Sequence, residues 1–339
     1  MSASPSIRTV SALRDVIGEY RLPRAILTAL ELDLFTTVGT KSWTISDLSS
    51  AMGVSARGLD ILCRVLASAG LLAKTKTQYR NTRLSRTELN ANSRTFRGAY
   101  LELLRNGWGD WSRLTDCVRT GTQVEDELPP DDPAYRRQFT WAMHQRSIEA
   151  AVEVARQVRI SGSGTLLDLG GGPGTYALAF LDRHPRLHAT ICDRAPALDV
   201  AREIAATRNV RPRLSYLPLN FMEEAVPGSY DIIWYSNVLH IYSPEQNQAL
   251  FRRLRSSLVP GGRLIIQDAF LRDRLGLRPM EANLFAVTML LCTERGNTYS
   301  VGDTSRWLKD AGFRRIRTFR LKAGTGDWEG GLLEASHPR

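Results

Sequence analysis

The sequence predicts an α/β protein: a doubly wound, mostly parallel sheet in the second half, preceded by a helical module with a strand pair. Three observations carry this. The stretch Thr165-Leu166-Leu167-Asp168-Leu169-Gly170-Gly171-Gly172-Pro173-Gly174-Thr175 reads as a buried strand, a tight glycine loop and the start of a helix. From Leu166 onward, short apolar runs alternate with helical segments, as parallel strands joined by crossover helices do. Before them, residues 10–90 read helix, helix, helix, strand pair, a winged-helix arrangement.

The chain has 339 residues, enough for two domains with sizeable cores. Hydrophobic content of 43% and charged content of 24% are those of a globular protein in water. No run approaches the roughly 18 apolar residues of a membrane span. Met1 to Tyr20 lacks the apolar core of a signal peptide, so a cytoplasmic protein without a membrane partner is expected. Cys63, Cys117, Cys192 and Cys292 are far apart and read as reduced, buried thiols. Neither they nor the five histidines show metal-ligand spacing, and no metal is expected. The net charge of +10 is spread along the chain. It reads as solvated surface, so no nucleic-acid partner is expected.

Leu13 to Phe35 reads mostly helical. Ile26, Leu27, Leu30, Leu32 and Leu34 overfill a single stripe, which implies packing on several sides. Thr44 caps a short helix, and Val54-Ser55-Ala56-Arg57 opens another that runs through Leu66 and ends at Gly70. Leu71–Ala73 and Gln78–Thr82 form the strand pair around a polar turn. The helix Ser55–Ala69 shows only Arg57 and Arg64 among acids and apolar residues, which is not the face of a DNA reader. The module is therefore expected to pack and dimerise. Phe96 to Val118 is helical and aromatic, residues 124–133 read as an acidic surface loop, and a helix starts near Pro133. Phe139 and Met143 on it are four apart and share a face, as core residues or as a lid over a site. The resulting division is a dimerisation domain over 1–95, a helical linker and lid over 96–155, and a sheet domain over 156–339.

In the sheet domain the glycines let backbone approach a ligand closely, and an adenosine-bearing cofactor is the usual guest of such a loop. Gly172 to Ala177 also fits the loose dinucleotide pattern G-x-G-x-x-G/A. Asp168, however, sits where it could receive an amino group and would repel a nearby pyrophosphate. Tyr176 to about Asp182 reads as an amphipathic helix. The second strand, Thr190–Asp193, ends in an acid 19 residues after Gly174, a position suited to the two ribose hydroxyls. The third strand is Leu214–Asn220 and the fourth Tyr230–Tyr235, leading to Ser236-Asn237-Val238-Leu239-His240. A helix from Pro244, a Pro260-Gly261-Gly262 turn and the fifth strand Arg263–Asp268 follow. Glu281–Cys292 is an apolar helix; Phe285, Met289 and Thr293 share a face, as core or as the wall of an apolar pocket for a planar acceptor. A helix Val301–Asp310, a strand Arg314–Leu321 and a closing strand near Gly331–Ala335 complete an antiparallel edge.

The glycine loop, Asp193, Val238-Leu239-His240, Pro260-Gly261-Gly262, Asp268 and Ala311-Gly312-Phe313 together carry a resemblance that spans nearly the whole chain. It resembles the class I S-adenosyl-L-methionine (SAM)-dependent methyltransferases, in the plant-type (caffeate/hydroxyneurosporene-like) O-methyltransferase superfamily and its bacterial small-molecule branch. The resemblance implies a Rossmann-like SAM-binding sheet behind a winged-helix dimerisation domain, and a homodimer. It implies SAM as cofactor, S-adenosyl-L-homocysteine (SAH) as product, and a small aromatic or polyketide-like acceptor. Cofactor contacts are then implied at Asp168, Gly170, Gly172, Gly174, Asp193 and Ser236. Family members often end the third strand with Gly-Asp-Met-Phe; this chain has Leu219-Asn220-Phe221-Met222. Asn220 can still accept from the adenine amino group, and Phe221 can stack on the ring. Acceptor contacts are implied at Phe139, Met143, Phe285, Met289 and Thr293.

The resemblance also implies that His240 is the general base. A hydroxyl that attacks a sulfonium methyl must lose its proton, and an imidazole of pKa ~6.5 is mostly neutral at pH 7 and can accept it. Asp268 aligns with a carboxylate that orients the base. Ile241 and Tyr242 replace the family's Asp and Trp, and Asn297 or Thr298 stands where plant enzymes have a second flanking Glu. These departures leave open C- or N-methylation, or a relative that keeps SAM for decarboxylation, hydroxylation or a pericyclic step. A SAM-sensing winged-helix regulator is a further alternative.

Overall fold

The computed structural model describes residues 7–124, 132–160, 163–321 and 331–339. The chain divides into two compact units, Met1–Arg105 and Asn106–Arg339. The first contains α1 (Val10–Gly18), α2 (Arg21–Glu31), α3 (Leu34–Val38), β1 (Trp43–Thr44), α4 (Ile45–Met52), α5 (Ala56–Ser68), β2 (Leu72–Lys74) and β3 (Gln78–Asn81). The helical stretch expected over Leu13–Phe35 is three helices, broken before α3 where Asp33 takes a left-handed φ of +52°. Thr44 and Ser55 cap α4 and α5 with side-chain acceptors for Asp47 N and Gly58 N. The expected strand pair gains a third member, giving the order β1-β3-β2. Leu34, Phe35, Leu48, Leu66 and Tyr79 form the buried centre of this unit. Val10, Leu13 and Ile17, at i, i+3 and i+7 of α1, are exposed.

Next come α6 (Gly98–Ser112), which contains the boundary between the units, α7 (Leu114–Thr120) and α8 (Pro133–Gln157). The helix expected over Phe96–Val118 is thus interrupted at Arg113. Of the expected loop at 124–133, residues 125–131 lie outside the described residues. The sheet is built from β4 (Ser163–Leu169), β5 (Arg186–Asp193), β6 (Leu214–Pro218), β7 (Tyr230–Ser236), β8 (Leu258–Asp268), β9 (Arg314–Arg320) and β10 (Gly331–Ser336). Its helices are α9 (Thr175–Arg183), α10 (Ala195–Ala205), α11 (Pro244–Leu254), α12 (Met280–Cys292) and α13 (Val301–Asp310). The strand order is β6-β5-β4-β7-β8-β10-β9, parallel except for β10, which is antiparallel to both neighbours.

The order reverses between β4 and β7, and doubly wound sheets bind ligands beyond the carboxyl ends of strands at such a reversal. Register brings the site to that edge: Leu169 pairs with Cys192 and with Tyr235, and Ser236 with Gln267. Trp234, Phe180 and Leu178 lie in one buried layer; Tyr235, Phe251 and Phe313 lie in the other. Each such side chain stabilises the fold by roughly 1.5–3 kcal/mol.

Three local expectations are corrected. The helix after the glycine loop is not amphipathic: Thr175 to Leu181 are all buried, because α8 covers the side that β4 and β5 leave open. Pro260-Gly261-Gly262 is no turn before a strand but lies inside β8, with Gly261 at φ +79° and a register shift against β7. Cys63, Cys117 and Cys192 are buried thiols, but Cys292 is exposed at the end of α12. Among the described residues no helix is long and apolar enough to cross a membrane.

Candidate active site

The glycine loop is built by backbone shape. Gly170, Gly172 and Gly174 have φ of +67°, +50° and +70°, a region that strains any L side chain. A Cβ at Gly170 would lie 2.8 Å from Val238 Cγ2, and one at Gly174 2.3 Å from Ile191 Cδ1. At Gly172 the nearest atom would be Asp193 Oδ2 at 3.9 Å, so bare backbone there faces open space. Asp168 turns its carboxyl under the loop, where Oδ2 accepts from Ala177 N at 3.2 Å. Burial pushes its pKa up to about 7; the Ala177 N–H pulls it down, and Asp193 pushes it up.

Asp193 ends β5 with each oxygen accepting one main-chain N–H at 2.7 Å, Oδ2 from Gly172 and Oδ1 from Arg194. Each oxygen keeps a further lone pair for a hydroxyl. Burial raises its pKa, while those two N–H groups and the charges of Arg136 and Arg194 oppose the rise. Phe221 is buried, with Cζ 3.4 Å from the would-be Cβ of Gly170 and an edge contact to Tyr242 at 6.3 Å. Asn220 opens the turn before it, Oδ1 accepting from Met222 N at 3.3 Å. Ser236 Oγ donates to Gln267 Oε1 at 3.2 Å and accepts from Asn237 Nδ2 at 3.1 Å.

Asn237 was not singled out from the sequence. It has a left-handed φ of +57°, and its Oδ1 is buried without a hydrogen-bond partner among the described residues. The only signal in the sequence is a polar residue directly after a buried strand. The open backbone at Gly172, the spare lone pairs of Asp193 and this orphaned acceptor fit the ribose and amino groups of a SAM molecule.

His240 lies on a single 3-10 turn, Leu239–Ile241, just after β7. Its Nδ1 is 2.9 Å from Asp268 Oδ1 and 3.1 Å from Oδ2, and both residues are buried. Asp268 Oδ1 also accepts from Ala269 N at 2.7 Å, which fixes the carboxylate. A carboxylate at Nδ1 places the neutral imidazole's proton there and leaves the lone pair on Nε2. Phe285 of α12 meets the imidazole edge-on, with centroids 4.7 Å apart at 77°.

Met289, one turn further, is buried. Thr293 Oγ1 is occupied locally, donating to Met289 O at 2.6 Å and accepting from Gly296 N at 2.9 Å. On α8, Phe139 is exposed and stacked on Tyr135 at 6.2 Å, and Met143 Sδ takes Arg146 Nη1 at 3.7 Å. His240, Asp268 and Phe285 are thus brought together, as are Gly170, Phe221 and Val238. Phe139 and Met143 thus meet residues of α8 itself. His144 on the same helix reaches further, with Nδ1 2.8 Å from Thr175 Oγ1 at the start of α9. Ile241 is exposed; Thr298 is buried and its Oγ1 has no partner among the described residues.

Residues 111–314 match the O-methyltransferase domain and residues 15–91 the O-methyltransferase dimerisation domain. The chain belongs to the O-methyltransferase family, and it is a SAM-dependent enzyme of that family. It is 28% identical over 305 residues to the tetracenomycin polyketide synthesis 8-O-methyl transferase of Streptomyces glaucescens, covering 87% of this chain and 88% of that one. It is 29% identical over 323 residues to the mitomycin biosynthesis 6-O-methyltransferase of Streptomyces lavendulae, covering 92% and 91%. Human N-acetylserotonin methyltransferase in complex with SAM shares the fold, with a TM-score of 0.84 at 21% identity over 99% of this chain and 100% of that one.

Proposed function

We propose that the enzyme methylates a hydroxyl of a small aromatic or polyketide-like natural product, with His240 as general base and Asp268 as the carboxylate that orients it. The observation that carries this is the buried Nδ1–Asp268 pair at the sheet edge that also bears the glycine loop. The acceptor class is supported by the polyketide and mitomycin pathways named for two relatives. In this reading Gly170, Gly172, Gly174 and Asp193 hold the ribose side of SAM, and Asn220 and Phe221 the adenine. Asp168 and Ser236 take its amino-acid end. Bound SAM supplies an electrophilic methyl group on a sulfonium. Phe285, Met289, Thr293, Phe139 and Met143 bound the acceptor and exclude water.

His240 Nε2 takes the acceptor's hydroxyl proton, and Asp268 stabilises the resulting imidazolium through Nδ1–H. Base assistance of this kind contributes about 100- to 10,000-fold, and alignment of acceptor oxygen with methyl carbon supplies much of the rest. We further infer a cytoplasmic homodimer. The dimerisation-domain match and the exposed Val10-Leu13-Ile17 stripe support the dimer, and the buried thiols of Cys63, Cys117 and Cys192 support a reducing compartment. The division into domains 1–95, 96–155 and 156–339 belongs to the same proposal.

Incubation with methyl-labelled SAM and a panel of phenols, read by mass spectrometry, tests the function. A labelled methyl ether is expected. Label found only on carbon or nitrogen, or no transfer to any acceptor, would overturn it.

A further inference from the structure

The turn that carries His240 is held by a buried amide to which neither cofactor nor acceptor binding assigns a role. Asn247 lies on α11 and is wholly buried. Its Nδ2 is 3.0 Å from Leu239 O, 3.0 Å from Tyr242 O and 3.1 Å from Ser243 O. Its Oδ1 accepts from the Tyr235 hydroxyl at 3.4 Å. Three carbonyls around one end of an amide identify that end as the nitrogen.

A second element closes the turn from another side. The Tyr299 hydroxyl donates to Tyr242 O at 2.6 Å, and Asn297 N donates to His240 O at 2.9 Å. Gly296 lets that loop come so near, since a Cβ there would fall 2.5 Å from His240 O. Burial pushes the Tyr299 pKa up to about 12, so the hydroxyl remains a donor across the working pH range.

We propose that Asn247 and Tyr299 are positioning residues for His240, fixing the carbonyls of its turn so that Nδ1 stays on Asp268 while Nε2 meets the acceptor. This rests on His240 being the base proposed above. A lone 3-10 turn has poor hydrogen-bond geometry of its own and needs outside partners to stay in one place. The need is acute here. Ile241 is apolar and exposed, and the buried side chain at 298 is a hydroxyl, so among the described residues Asp268 is the carboxylate hydrogen-bonded to the imidazole. A misplacement of about 1 Å at such a group can cost about 100-fold in rate.

The test compares Tyr299→Phe and Asn247→Ala, each alone and in a His240→Ala background, in the full chain. Tyr299→Phe keeps the ring against Trp307 and removes only the hydroxyl, so it remains informative if Asn247→Ala folds poorly. Folding is checked by circular dichroism, SAH affinity by calorimetry, and kcat and acceptor KM with a non-ionised phenol. The expected result is SAH affinity within about twofold of wild type and an unchanged KM. The kcat of Tyr299→Phe should fall about tenfold, as loss of one buried hydrogen bond predicts. In the His240→Ala background the same change should have no further effect.

A folded Tyr299→Phe enzyme with wild-type kcat overturns the proposal, as does an equal fractional loss without His240. If His240→Ala alone keeps wild-type turnover, the general-base reading falls first and this proposal with it. If His240→Ala is impaired and the two variants are not, only the positioning role falls.

Discussion

His240 Nδ1 lies within hydrogen-bond distance of both oxygens of Asp268, at 2.9 and 3.1 Å, although 28 residues separate the two along the chain. The pair predicts how activity divides. His240→Ala should lower turnover on a non-ionised phenol by about 100-fold or more. Asp268→Asn should cost less, since it orients the base without taking the proton. SAH affinity should hardly change in either variant, and acceptors already ionised at the assay pH should lose less. Steady-state kinetics with calorimetry decides; wild-type turnover in His240→Ala makes the histidine structural.

Asp193 should govern cofactor affinity. Two charge-assisted hydrogen bonds to ribose hydroxyls are each worth about 1.5–3 kcal/mol, so Asp193→Ala should weaken SAH at least about 100-fold. Calorimetry with SAH and with NAD checks this. An unchanged SAH constant, or NAD binding in its place, contradicts the assignment of the loop.

The geometry at these positions shows what local sequence can report. The glycine loop, Asp193 and the strands around them were legible because chain neighbours define them: a buried run, an acid, glycines forced to positive φ. The burial of α9 was not, since α8 decides it and its packing partner cannot be read from the α9 pattern itself. The same holds for the clamp on the His240 turn. Tyr299 reaches Tyr242 from 57 residues away, and no spacing rule connects a tyrosine to a carbonyl at that range. Cys292 is exposed for a similar reason, since burial of a helix end depends on what covers it.

Asp168 should make the ligand-free protein sensitive to pH. Its folded pKa of about 7 lies above the ordinary value of 3.8, so the native state holds this proton longer than the unfolded chain. Stability from this group is complete below about pH 4 and is lost as pH rises through 7. Asp168→Asn should therefore melt higher than wild type at pH 8 and show little advantage at pH 4. Thermal melts across that range measure it, and a gap that widens toward low pH refutes the sign.

The exposed stripe of α1 should be an association surface. Light scattering of the wild type at micromolar concentration should give twice the chain mass. Leu13→Glu with Ile17→Glu should shift it toward the monomer. A fully active wild-type monomer rules out the dimer.

The contact between His144 Nδ1 and Thr175 Oγ1 ties α8, which bears Phe139 and Met143, to the first residue after the glycine loop. Two binding events that share one mechanical strut are thermodynamically reciprocal: whatever factor the first ligand adds to the affinity of the second, the second returns to the first. Filling the loop with SAH should then tighten acceptor binding, and acceptor should tighten SAH by the same factor. His144→Ala should reduce both factors together, leaving two independent sites where the wild type has two coupled ones.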